Sequence, residues 1–286
     1  MSATDFEQTT VHGETTLWVD SSRIEDYLDY YRSANIERLG INPMRGYALN
    51  DIEFLRRYPF VTDLVIVFPA SGPFELSPIQ ALANLRSLTI SGPVPLALGQ
   101  FPRLKIFRGN WDPRLDLSGC NLEVLDLSNY RAKSHDLTAL PEQPALRQLS
   151  IVQSAITSLH GVAKFRSLEK LELAYLSKLE TLSELERLPS LTMLDCNKCR
   201  KLRNHAGVQE LENLRVLRFN DCGEIPTLGF LDRMKKLEEF RFVDTNIIDG
   251  DLGPLLRLER VGFLRKKHYS HTPEQIDALL ARRQAQ

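Results

Sequence analysis

The sequence predicts an α/β solenoid: a stack of short parallel strands joined by tight return segments and closed by a helix at each end. Three observations carry this. Leucine accounts for 47 of the 286 residues and is spread along the chain instead of gathered in one run. A frame with apolar residues at positions 1, 4 and 6 recurs eleven times, most clearly as Leu168, Leu171 and Leu173 in LEKLELAY. The copies start at 36, 61, 85, 104, 122, 146, 168, 191, 214, 237 and 258, a mean spacing near 22. A period of this length marks an array in which no unit buries its apolar face alone and each neighbour completes the next.

The elements follow in chain order. Residues 1–35, with seven acidic side chains and two arginines, are read as an N-terminal cap. Within them Ser21, Ser22 and Arg23, followed by Ile24, Tyr27, Leu28 and Tyr31, predict a capped amphipathic helix. It would cover the leucine row that a terminal repeat otherwise exposes. About eleven repeats then occupy residues 36–264. In each frame positions 4 and 6 share one strand face, and positions 3, 5 and 7 share the other. The returns carry a second apolar row, as in Ile156, Leu159, Val162 and Phe165, whose spacing of three predicts short 3₁₀ turns. The 18- and 19-residue units between Leu85 and Leu122, with Pro93, Pro95, Pro102 and Pro113 nearby, predict extended returns and a local change of curvature. Residues 265–286 are read as a C-terminal cap, with Thr272, Pro273 and Glu274 opening a helix whose face is Ile276, Leu279 and Leu280. Seven basic and three acidic side chains in residues 257–286 set this end against the acidic beginning.

The frame LxxLxL, with Cys199 and Cys222 at position 9, resembles the leucine-rich repeat, whose consensus is LxxLxLxxN/C followed by a variable return. The resemblance covers about Ile36 to Leu264. The return pattern is similar to the roughly 22-residue subclass found in internalins and in the leucine-rich regulatory subunit of protein phosphatase 1. It implies a horseshoe with a parallel sheet on its concave side and short 3₁₀, helical or extended segments on its convex side. Position 9 departs from the family pattern at Tyr130, Ser154, Leu176 and Thr245. The asparagine ladder is mostly missing, so a less regular solenoid is expected, with each turn satisfied in its own way.

Composition excludes several classes. A net charge of -1, from 36 basic and 37 acidic side chains, does not suit a nucleic-acid binder, and Asp126, Glu172 and Asp195 interrupt any continuous basic path. No run reaches the ~18 apolar residues of a membrane span, and Met1–Thr16 carries Asp5, Glu7 and Glu14 where a signal peptide needs a basic start. A cytoplasmic, monomeric protein that does not bind membranes is expected. The four cysteines, Cys120, Cys196, Cys199 and Cys222, are read as free thiols. Cys196 and Cys199 form a CxxC, but the frame puts the first at a core position and the second at a turn, and no second pair exists to complete a metal site. His268 and His271 lack further ligands and are read as part of a surface linker. No phosphate-binding loop, nucleophile elbow or metalloprotease motif occurs. No catalytic residue, metal or cofactor is expected.

Function is therefore sought on the concave face. Position 5 reads Arg108, Asp126, Ser150, Glu172, Asp195, Arg218 and Arg241 through the middle and end of the array, acidic and then basic. Trp111, Tyr130 and Tyr175 lie just beyond the strands. Aromatics flanked by opposite charges suit a protein-binding surface, and eleven strands at ~4.8 Å spacing make a groove of roughly 50 Å. The candidate partner-binding residues are Arg108, Trp111, Asp126, Tyr130, Glu172, Tyr175, Asp195, Arg218 and Arg241. The expected role is non-enzymatic binding of another protein. Partner classes implied by the resemblance include an intracellular toxin that is neutralised or regulated; a catalytic or nucleic-acid-binding scaffold is the alternative. The bland reading of the same charges is a solvated face of cross-strand salt bridges.

Overall fold

The computed structural model describes residues 5–11, 13–69 and 73–284. Two compact units result, residues 1–124 and 125–286. In the first, six strands lie side by side in chain order: β1 (Gln8–Val11), β2 (Glu14–Trp18), β3 (Arg38–Ile41), β4 (Asp63–Val67), β5 (Ser87–Pro93) and β6 (Ile106–Asn110). β1 and β2 form an antiparallel hairpin, and every later pair is parallel. Parallel pairing needs a crossover that returns the chain to the same edge. Helix α1 (Ile24–Ser33) provides it after β2, and 3₁₀ turns at Glu53–Arg57, Ser77–Ala81 and Leu98–Gln100 serve the strands that follow.

Equal frame positions face each other across the sheet. Leu39 lies opposite Leu64, Leu64 opposite Leu88 and Leu88 opposite Phe107, and all four are buried to within 1%. Truncating one such leucine to alanine costs ~2–5 kcal/mol. The proline-rich unit shifts register between Ile90 and Pro93, but its return contains a 3₁₀ turn at Leu98–Gln100 where the sequence predicts an extended segment.

β1 and β2 lie outside the eleven frames, and β2 extends their pattern. Leu17 pairs with Leu39, so Leu17 and Val19, both fully buried, occupy positions 4 and 6 of a twelfth frame. Its position 1 is the exposed Glu14, and a frame sought by leucine cannot detect it. Trp18 at position 5 of this frame lies over Gly40; a Cβ at residue 40 would stand 2.4 Å from the indole. Helix α1 buries Tyr27, Leu28 and Tyr31, but its serines do not cap it. The N-cap residue is Arg23, with no side-chain cap bond, and Ser22 instead donates to the Asp20 carboxylate through its backbone N–H (2.8 Å) and its hydroxyl (2.7 Å).

The second unit holds β7 (Val124–Ser128) apart from its first residue, and β8 (Gln148–Val152), β9 (Lys170–Ala174), β10 (Met193–Asn197), β11 (Val216–Asn220), β12 (Glu239–Arg241) and β13 (Arg260–Gly262), again in chain order. From β8 onward all neighbours are parallel. The predicted 3₁₀ returns occur at Val162–Lys164, Leu185–Arg187, Ala206–Glu210, Gly229–Arg233 and Gly253–Arg257. Helix α2 (Pro273–Gln284) packs on the last of these and on β13. It buries Ile276 and Leu280 but leaves Leu279 39% exposed. The preceding linker is structured: the Tyr269 hydroxyl accepts from the Ile247 N–H (3.1 Å) and donates to the Thr245 carbonyl (3.3 Å).

Turns after the strands are more regular than position 9 suggests. Cys199, Cys222 and Thr245 each donate to the carbonyl at position 6 of the preceding repeat, namely Leu173 (3.6 Å), Cys196 (3.3 Å) and Phe219 (2.6 Å). Ser154 does similar work on the Tyr130 carbonyl at 2.5 Å. Thiols and hydroxyls thus form the buried ladder that asparagine would supply, because any short donor at this depth reaches the same orphan carbonyl. All three ladder positions are within 8% of full burial, and the four cysteines are thiols rather than disulfide halves.

Candidate protein-binding face

Each turn in the second unit also fixes what stands beside the sheet. Position 8 takes a left-handed backbone conformation in six successive frames: Asn129, Gln153, Tyr175, Lys198, Asp221 and Asp244, with φ from 50° to 59°. Five of their N–H groups donate to the position-7 carbonyl of the next repeat, at 2.8–2.9 Å. Asn and Asp tolerate this region, whereas Gln153, Tyr175 and Lys198 carry a backbone cost of ~1–2 kcal/mol. Tyr175 is held there 49% exposed, and the Lys198 ammonium lies 4.7 Å from the ring centroid. An ammonium over an aromatic face contributes ~0.5–1 kcal/mol at an exposed site.

Position 5 lines up as predicted. Ser150, Glu172, Asp195, Arg218, Arg241 and Gly262 are successive register partners. Glu172, Asp195 and Arg218 are half-buried and Arg241 is exposed. Ser150, Glu172, Ala174, Asp195, Asn197 and Arg218 help line a depression of about 240 Å³.

The charges divide into two groups. At one end Glu239, 5% exposed, gathers three guanidinium groups: Arg218 at 2.8 Å, Arg241 at 3.0 Å and Arg260 at 3.0 Å. Burial raises the Glu239 pKa, but the bonds from Arg260 and Arg218 and the surrounding positive charge outweigh it, leaving the carboxyl below its ordinary value. At the other end Asp195 keeps Arg218 at 3.5 Å, and burial still lifts its pKa. Glu172 makes no ion pair among the described residues. Its pKa is raised by burial and then by the like charges of Asp126 and Asp195. The face therefore holds a strip of carboxylates that oppose one another beside an arginine cluster that shares one carboxylate.

Of the other sequence candidates, Tyr130 is displaced. It is fully buried, and its hydroxyl donates to the Asp136 carbonyl at 3.0 Å, so it belongs to the core under the turn. Its position-9 slot points inward in every frame that carries a ladder donor. Arg108 and Trp111 lie in the first unit, both half-buried; Arg108 is the register partner of Thr89. Glu239, Arg260 and Lys198 were not among the candidates. The first two occupy position 3, and reading that position together with position 5 brings them into view. Among the described residues no group of three His, Cys, Asp or Glu side chains is arranged to hold a metal ion, and no helix is long and apolar enough to cross a membrane.

Repeats in register, 3₁₀ returns and a buried donor ladder make up a leucine-rich repeat fold. No protein-family model and no curated protein matches the chain. Among solved structures it is similar to an internalin (inlF) from Listeria monocytogenes, with 20% identity and a TM-score of 0.56 over 94% of this chain and 85% of that one. It is also similar to a TDR receptor, with 14% identity and a TM-score of 0.52 over 85% of this chain and 44% of that one. At these identities the likeness is one of fold.

Proposed function

We propose that the chain is a non-enzymatic binding module whose solvent-facing sheet surface in the second unit, at β9–β12, takes another protein. The observation that carries this reading is the carboxylate strip at Glu172 and Asp195. A merely solvated face gains nothing from half-burying carboxylates beside like charges, whereas a partner that inserts a basic side chain there relieves both the repulsion and the desolvation. Exposed arms of Arg241 and Arg260 favour an acidic group on the same partner, and Tyr175 with Lys198 supplies a rigid aromatic contact at the rim. Asp126 belongs to the same strip. Arg108 and Trp111 offer a guanidinium and an indole of the same chemistry on the first unit. An intracellular protein regulated or neutralised by masking, such as a toxin, is a partner of this kind.

Affinity capture from the native host tests the reading. Wild-type chain retains a stoichiometric protein, Glu172→Arg/Asp195→Arg releases it, and Lys201→Glu on a return segment does not. Equal retention by the sheet-face variant and the wild type contradicts the proposal.

A further inference from the structure

A second charged feature lies away from the sheet face. On the edge of the second unit where the strands begin, the segments ahead of β10–β13 and the end of α2 enclose a cleft of about 710 Å³. Five cationic side chains line it, Arg215, Lys235, Lys236, Arg257 and Arg283, against two carboxylates, Glu238 and Glu259. Both carboxylates are engaged. Glu238 accepts from Arg215 Nε at 2.7 Å and lies 3.9 Å from Arg260, and Glu259 lies 3.7 Å from Arg260. Lys235, Lys236, Arg257 and Arg283 make no ion pair among the described residues.

Three of these four cations are held in place by neutral groups. Arg283 donates to the Leu256 and Leu258 carbonyls at 2.7 and 2.6 Å. Arg257 donates to the carbonyls of Leu231 and Met234, and the Lys236 ammonium donates to Asn213 Oδ1 at 2.7 Å. Carbonyl and amide acceptors orient a cation without cancelling its charge. Asp232 acts on Arg257 as well, yet the concave site keeps an excess of positive charge, most of it held in place, and fixing donors beforehand lowers the ordering cost of binding.

We propose that this cleft is an anion site for phosphate chemistry, separate from the protein-binding face. A multiply charged phosphoryl group accepts hydrogen bonds from several donors at once, and lysine serves phosphate as a compact point charge. A carboxylate brings a single charge, against about two for a phosphoryl group at neutral pH. The phosphate comes either from a small free phosphate compound or from a phosphoryl group on a partner protein.

Calorimetric titration of the full chain at low salt distinguishes the sources, using inorganic pyrophosphate in one arm and a phosphoserine peptide, with its unphosphorylated form, in the other. Saturable binding of pyrophosphate assigns a free compound; binding of the phosphopeptide but not of its unphosphorylated form assigns a partner. In either case Lys235→Glu/Lys236→Glu weakens binding about tenfold or more, and the milder Lys235→Ala/Lys236→Ala acts in the same direction. Both lysines are exposed, so the fold tolerates these changes. Lys133→Glu, elsewhere in the same unit, leaves binding unchanged. Absence of saturable binding in both arms, or equal affinity in the Lys235/Lys236 variants, overturns the proposal.

Discussion

Replacing Glu239 with glutamine removes the one charge that three arginines share. Losing one partner of a buried ion pair costs ~3–5 kcal/mol when the other is left buried. Here the Arg241 and Arg260 side chains are 50% and 53% exposed, so water re-solvates them, and each lost pair counts for ~0.2–1 kcal/mol. Arg218 is the costly one, because its side chain is only 29% exposed. It keeps Asp195 at 3.5 Å, which limits its share to ~1.5 kcal/mol, the lower end for a charged hydrogen bond. Together the loss is about 2–3.5 kcal/mol, a fall in Tm of roughly 4–14 °C for a unit of this size. Denaturant and thermal unfolding of wild type and Glu239→Gln measure it. The sign with pH is fixed by the depressed Glu239 pKa. Its contribution is complete above the ordinary carboxylate value of 4.5 and disappears as pH falls through the lower folded value. The gap between the two proteins is constant above the ordinary value and closes as pH falls through the lower folded one. A gap under ~0.5 kcal/mol at neutral pH, or one that persists unchanged in acid, refutes the reasoning.

Glu172→Gln acts in the opposite direction: its raised pKa means that the charged form costs stability above that value, so the variant is more stable than wild type at neutral pH. The gain fades as pH falls through the raised value towards the ordinary one, and unfolding at neutral and acid pH checks it. Tyr175→Gly relieves a left-handed backbone cost of ~1–2 kcal/mol and loses the Lys198 contact, leaving thermal stability unchanged or slightly raised while partner capture falls. Thr245→Val removes the donor to Phe219 and the acceptor for the Cys222 N–H, and a loss of ~2 kcal/mol is expected in denaturant unfolding. Thiol labelling of the native chain modifies Cys120 first, since Cys196, Cys199 and Cys222 are buried.

The core was legible because its signal is redundant. Leucines at positions 4 and 6 sit two apart on one strand face, and the same pair returns in frame after frame, so single departures such as Gly109 do not break the pattern. Glu14 shows the limit: at the end of the array position 1 is free to be polar, and the strand it opens has no leucine start to mark it. The serines before α1 looked like caps, yet Asp20 is the stronger local acceptor and claims Ser22. Tyr130 departs from expectation because spacing alone makes an aromatic just beyond a strand look exposed, whereas its position-9 slot points inward. The position-5 charges were legible from spacing alone. Their pairing was not, because Glu239 meets Arg218, Arg241 and Arg260 only when three different strands lie side by side. Whether a carboxylate is relieved or crowded is a property of that neighbourhood, and no linear pattern contains it.

The central claim, that the sheet face between Glu172 and Arg241 is where a partner sits, is tested most directly by hydrogen exchange on the captured complex. Added protection is expected in β9–β12 and in the turn at Tyr175 and Lys198, with the 3₁₀ returns unchanged. Protection confined to the returns or to α2, with β9–β12 exchanging as in the free chain, contradicts it.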